Sequence, residues 1–271
     1  MSFISAAWGN YGKVVVWEKS KLGNRIIKTY DPVYYFYVPD DKGSFIGIDN
    51  VRLKKLTFKN KPEFEMGLRT ERVRYESDFS IMERTLMDNY LDKEPPKLNI
   101  GFIDIEVDYN PEIGFARVTN AYAPISALSF YKVPSGEKFT FVIASPDWDG
   151  KWTEELENIF ICENEKELLD AFLQVLPDVD VISGWNSEFF DLPYIAKRIE
   201  RVLGPSSVKK LNFDGSNRDP QWKEVERFGV KETIIELEGR VHLDYLKLFK
   251  KFNLEGRPSY ALGAIANDEL D

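Results

Sequence analysis

The 271-residue chain contains one cysteine, Cys162, and one histidine, His242. A single cysteine closes no internal disulfide, so the fold rests on its own core and a reducing compartment is the natural setting. Zinc-ligand spacing, a P-loop and a dinucleotide fingerprint are all absent. Cys162, within Phe160-Ile161-Cys162, reads as a buried hydrophobe, and His242 as a structural residue in a strand–helix stretch. Long apolar runs are missing too. The longest charge-free stretch, residues 118–131, has 14 residues and includes Pro124, too short to span a bilayer. The Met1-Ser2-Phe3-Ile4 start lacks a basic region followed by an apolar one, so no secretory signal is expected and the chain reads as soluble and intracellular. Nor is positive charge in excess: a net charge of −9 argues against indiscriminate nucleic-acid binding by the whole surface.

What is present supports real cores: 43% hydrophobic and 14% aromatic residues exclude disorder as the main state. Charge is unevenly spread. Residues 1–97 carry 17 Lys and Arg against 14 Asp and Glu, a balance of +3, which leaves −12 for the remainder. The change falls at Glu94-Pro95-Pro96-Lys97, where paired prolines suit a linker. Two domains are therefore expected, 1–97 and 98–271.

The first part reads as β-rich. Residues 3–8 and 13–18 flank the turn signal Gly9-Asn10-Tyr11-Gly12, and residues 33–38 form an aromatic strand. A basic segment follows at 52–61, with Arg52, Lys54, Lys55, Lys59 and Lys61. Aromatics beside a basic stripe suit a single-stranded nucleic-acid platform, or else the core of a small barrel with a solvated rim. Ser80 and Glu83 form a capping box for a helix whose apolar face is Phe79, Met82, Leu86 and Tyr90. The second part alternates strands with amphipathic helices, an α/β layer in which helices cover a sheet. Residues 206–231 are polar and without periodicity, and are expected to be an insertion or mobile loop.

Within that second part, Phe102-Ile103-Asp104-Ile105-Glu106-Val107-Asp108 alternates bulky residues with carboxylates at the period of a strand. Asp104, Glu106 and Asp108 then share one face. Crowded carboxylates repel one another, and hard cations such as Mg²⁺ or Mn²⁺ relieve that cost. Two other readings fit the strand taken alone: a solvated face, or the paired acids of a glycoside hydrolase. Further along lies Asn186-Ser187-Glu188-Phe189-Phe190-Asp191-Leu192-Pro193-Tyr194, in which Asp191 opens a helix.

The pair Asp-x-Glu and Asn-x-x-x-Phe-Asp-x-Pro-Tyr, in that order, resembles the first two exonuclease motifs of family B DNA polymerases, in the form found in replicative polymerases of T-even-type bacteriophages. Ser183-Gly184-Trp185-Asn186, Asp244-Tyr245 and Pro258-Ser259-Tyr260-Ala261-Leu262 extend the resemblance along essentially the whole chain. It implies a ribonuclease-H-like 3′→5′ proofreading exonuclease domain, preceded by a small β-rich domain that borders template DNA and can contact RNA. Carried across, Asp104 would touch both of two divalent metals, Glu106 the first, and Asp191 mainly the second. Asn186 and Phe190 would lie at the unpaired 3′ end of DNA, with Tyr194 behind Asp191 and counted among the DNA-binding residues, as are Lys54, Lys55 and Lys59. The setting implied is the cytoplasm of an infected bacterium, without membrane contact.

The resemblance is incomplete. The family's third motif, Tyr-x-x-x-Asp, is missing after Asp191, where the order of motifs requires it: Tyr194, Tyr245 and Tyr260 are followed four residues later by Arg198, Phe249 and Ala264. Regions for polymerisation are not found in these residues. The expectation is a partial exonuclease region, completed by a C-terminal polymerase part or by a second subunit of a split polymerase. A non-catalytic nucleic-acid-binding module is the alternative.

Overall fold

The computed structural model describes residues 2–145, 157–213, 218–227, 229–253 and 255–270. The chain divides into two compact units, 1–97 and 98–271. No helix among the described residues is long and apolar enough to cross a membrane.

In the first unit, β1 (Ser2–Trp8), β2 (Val14–Lys19) and β3 (Arg25–Tyr30) form one antiparallel sheet. A second is built from β4 (Tyr34–Pro39), β5 (Phe45–Ile46) and β6 (Arg52–Phe58), with β6 in the middle. These are two small sheets, not a barrel. Helix α1 (Lys61–Thr70) is capped by Asn60, and α2 (Ile81–Tyr90) by the expected Ser80–Glu83 box. The α2 apolar face differs from expectation at one end. Tyr90 is buried and Met82 and Leu86 pack with Val14 and Val16, but Phe79 remains 37% exposed. Arg84 is buried instead, its guanidinium 4.1 Å from the centre of the Tyr35 ring, where a flat cation stacks well.

The second unit is built on a six-stranded sheet. Its strands are β7 (Ile100–Val107), β8 (Ile125–Val133), β9 (Lys138–Ile143), β10 (Ile159–Cys162), β11 (Val181–Gly184) and β14 (Val241–Asp244), in the order β10-β9-β8-β7-β11-β14. β8 runs antiparallel to both its neighbours, and every other pairing is parallel. Alternation along β7 sends Ile103 and Ile105 into the core and leaves Asp104 and Glu106 on the open face. Against the apolar face pack Leu168, Leu169 and Phe172 of α3 (Glu165–Val175) and Ile195 and Ile199 of α4 (Asp191–Val202). Asn164 caps α3, as its spacing from Glu167 predicts. The chain ends in α5 (Tyr245–Phe252) and α6 (Leu262–Leu270).

Two buried arginines tie this layer together. Arg198 of α4 donates through Nε to Glu165 Oε1 at 2.7 Å and through Nη1 to the Ala121 carbonyl at 2.8 Å, joining both helices to the loop before β8. Arg240, 2% exposed, donates to the carbonyls of Leu176, Val179 and Leu211 at 2.6–2.9 Å. It thereby collects chain ends that leave α3 and the turn at Pro205–Leu211 just before β14 begins.

Residues 206–231, expected to be an insertion or mobile loop, carry regular structure in their described part, and 214–217 and 228 lie outside the described residues. That span holds part of the Pro205–Leu211 turn, all of β12 (Gln221–Arg227) and the start of β13 (Val230–Glu236), which pair as an antiparallel hairpin. β12 buries no residue fully, so no apolar alternation marks it in the sequence.

Candidate active site

The open face of β7 meets the carboxyl end of β11, the edge at which parallel α/β sheets bind their ligands. β11 pairs with β7 only as far as Ser183 opposite Phe102. The chain then leaves at Gly184, where a Cβ would fall 2.6 Å from the Ile103 carbonyl oxygen and 2.8 Å from Ser187 Cβ. Glycine is what lets the departing chain lie this close to β7. Asn186 follows at φ 61°, a left-handed conformation that asparagine tolerates better than most residues.

Asp191, 5% exposed, opens α4, and its Oδ1 accepts the Ile105 N–H at 3.2 Å. A side chain thus takes over a β7 backbone group beyond the paired part of β11. Burial, and then the negative charge of Asp104, push the Asp191 carboxyl up to about 7. Asp104 itself is raised by partial desolvation. It stands at a cleft of about 520 Å³ walled by Phe102, Tyr131, Trp185, Tyr245 and Leu262. Asp104 and Asp191 therefore form an interacting pair, with Glu106 two residues further along the same exposed strand face. Among the described residues, however, no three His, Cys, Asp or Glu side chains converge into a set able to hold a metal ion.

The loop from Gly184 to Asp191 is anchored from β14, by residues that carry no role in the sequence motifs. Asp244 accepts the Glu188 N–H at 3.1 Å through one oxygen and the Lys247 N–H at 3.3 Å through the other, capping α5. His242 Nε2 shares a 2.9 Å hydrogen bond with Ser187 Oγ, and the Ser187 carbonyl accepts the Leu192 N–H at 3.0 Å. The Asp244 cap could have been read from an acid placed before an amphipathic segment; the His242–Ser187 contact has no local signal.

Burial depresses the His242 pKa to about 4. A histidine lowered in the folded state contributes stability that is complete above the unfolded value of about 6.5 and is lost as pH falls toward 4. His242→Gln should remove about 3 kcal/mol of that dependence and flatten the unfolding free energy between these pH values. Denaturant melts across the window check this, and an unchanged slope refutes it.

The other expected contacts fare unequally. Asn186 Oδ1 accepts from Arg227 of the hairpin at 3.3 Å, and Phe190 is half-buried with its ring 5.2 Å from that of Tyr194. Tyr194 is wholly buried and donates its hydroxyl to the Ala123 carbonyl at 2.7 Å, so its side chain offers no surface to a ligand in this conformation. Its ring belongs to the apolar core of the second unit. In the first unit Lys54 and Lys55 point to opposite faces of β6, and Lys55 lies 3.5 Å above the Tyr35 ring. Lys54, Lys55 and Lys59 do not make one stripe; Lys54 and Lys59 are exposed and Lys55 is half-buried.

A six-stranded α/β sheet with Asp104 and Glu106 on the open face of β7, and Asp191 opening the helix beside them, is a setting for hydrolytic chemistry. The chain belongs to the exonuclease-domain family of family B DNA polymerases, whose sequence model matches residues 65–265. That match begins within the first unit, in α1. The chain is 31% identical over 198 residues to the DNA-directed DNA polymerase of Escherichia phage RB69, covering 65% of this chain and 21% of that protein. It is 33% identical over 109 residues to the DNA-directed DNA polymerase of Enterobacteria phage T4, covering 40% and 12%. With the DNA polymerase of Pyrococcus glycovorans it shares 29% identity over 201 residues, 70% of this chain and 22% of that protein. The chain thus spans about a fifth or less of the length of these relatives.

Proposed function

We propose that this chain supplies the 3′→5′ exonuclease region, with the preceding N-terminal domain, of a phage DNA polymerase, and that it removes unpaired nucleotides from single-stranded 3′ ends. The observation that carries the reading is the Asp104–Asp191 pair, one acid exposed on β7 and the other buried and held against the same strand. The sheet order, with β8 alone reversed next to β7, supports a ribonuclease-H-like fold.

The donor set fits a hard divalent cation. All candidate ligands are carboxylates, and burial, with repulsion from Asp104 added, raises the proton affinity of Asp191, a cost that a bound cation would relieve. Asp104, Glu106 and Asp191 would hold Mg²⁺ or Mn²⁺, with Asp104 shared between two ions. When bound, such ions supply an activated water and stabilise the leaving 3′ oxygen. The chain's own residues do the rest. The Ile105 N–H orients Asp191, the β14 anchors hold the loop that carries it, and Asn186 and Phe190 flank the strand end. In the first unit Lys54, Lys55 and Lys59 would add contacts to template DNA or to RNA, and a C-terminal polymerase part would be the protein partner. The setting is the cytoplasm of the infected host.

A non-catalytic DNA-binding role is favoured by one observation, that three acids do not converge among the described residues. Degradation of 5′-labelled single-stranded DNA separates the two. Few carboxylates hold Mg²⁺ weakly, and no tyrosine after Asp191 in these residues is followed by Asp four positions later. The isolated chain should therefore be a very weak nuclease, whereas joining it to the remainder of the phage RB69 polymerase should give rapid hydrolysis that chelation stops. No hydrolysis by the joined protein would favour the binding role. Rapid hydrolysis by the chain alone, lost in Asp191→Ala, would mean that another acid, such as Asp108, completes the site.

A further inference from the structure

The first unit contains a cleft of about 680 Å³ lined by Lys19, Lys21, Lys93 and Lys97, with Asp92 and Glu94 as its only acids among the described residues. Its size lies within the roughly 300–1,000 Å³ of small-ligand sites. Lys19, at the end of β2, is 6% exposed and pairs across the sheet with Ser2, itself 6% exposed, so both belong to the buried part of the lining. Lys93 is held 4.3 Å above the Tyr90 ring. Tyr90 in turn hydrogen-bonds Glu18, whose carboxylate is paired with Lys28 at 2.9 Å.

Lys21 bridges to Glu94 across the cleft, but the two side chains are 82% and 77% exposed. An ion pair so open to water is weak and readily exchanged for a better anion. Four lysines and two acids line the cleft, within the unit that carries +3 in an otherwise acidic chain. A partly desolvated lysine attracts anions more strongly than one in bulk water.

We propose that this cleft binds phosphate groups, presented either by a free oligophosphate or by a nucleic-acid strand. Lysines at several points of a concave wall suit such a ligand, since each acts as a mobile point charge. The site is separate from the carboxylates of β7 and does not rest on their chemistry.

Calorimetric titration of the 271-residue chain, at low salt and with EDTA to keep divalent metals out, tests this with tripolyphosphate and with a short oligothymidylate. Tripolyphosphate should bind, and Lys93→Gln/Lys97→Gln should weaken it by about tenfold or more. Lys209→Gln/Lys210→Gln, an equal charge change in the other unit, should alter it less than about twofold. Lys19→Met, which keeps an apolar stem in β2, should weaken it as well, with folding verified by melting temperature. If the strand is the source, oligothymidylate binds more tightly than tripolyphosphate, and its salt slope falls by roughly 0.7 for each lysine–phosphate pair removed. If a free oligophosphate is the source, the order reverses. No binding of either anion, or equal weakening by both double variants, overturns the proposal.

Discussion

Asp104→Ala, in the chain joined to the remainder of the phage RB69 polymerase, should lower divalent-ion-dependent hydrolysis of single-stranded DNA by about a thousandfold, equivalent to some 4 kcal/mol of transition-state stabilisation. Asp104 is the acid proposed to be shared between two metals, and its neighbour Asp191 already responds to its charge. The substitution lies on the open face of β7 and removes no packed apolar group, so the melting temperature should hold or rise slightly as repulsion is relieved. Single-turnover degradation of a 5′-labelled strand gives the rate. Retention of more than about a tenth of it would end the assignment of Asp104 to catalysis.

The second large effect is on stability. Arg198→Met should destabilise the second unit by roughly 3–5 kcal/mol, because Glu165 would be left buried with its cationic partner gone. In melting temperature that is a fall on the order of 10 °C. Glu165 Oε1 also accepts the Ile125 N–H at 2.8 Å, so the start of β8 should loosen with it. The double variant Arg198→Met/Glu165→Leu should recover much of the loss, since an apolar pair fills the space without an orphaned charge. Equal melting temperatures for Arg198→Met and the unaltered chain would show that the pair contributes little.

Much of this architecture is legible in residue order where one face of an element is buried. β7 and α4 announce themselves because Ile103 and Ile105, or Ile195 and Ile199, recur at the period of their element. The Ser80 and Asn164 caps follow from side chains only three residues away. The hairpin β12–β13 escapes such reading because Lys223, Glu224 and Glu226 face water and little of it is buried. Arg84 escapes for the opposite reason: a charged residue occupies an interior place that only the Tyr35 ring, distant in sequence, makes hospitable. In the site, Asp104, Glu106 and Asp191 are legible as motif residues. Their separation is not, nor is the support from His242 and Asp244, since both depend on where β14 lies beside β11. Tyr194 shows the limit of a motif position: its identity is readable, but its burial comes from the fold.

The contact between Asp191 and the Ile105 amide has a practical consequence. Because a carboxylate oxygen occupies the place where a neighbouring strand would otherwise bond, the Ile105 proton is a spectator of the ionisation and ligation of that acid. Its nuclear magnetic resonance shift, followed while Mg²⁺ is added or while pH is varied, would report on that carboxylate from the main chain itself. No label, substrate or turnover would be needed, and the same signal would distinguish an acid that has changed state from one that has moved away.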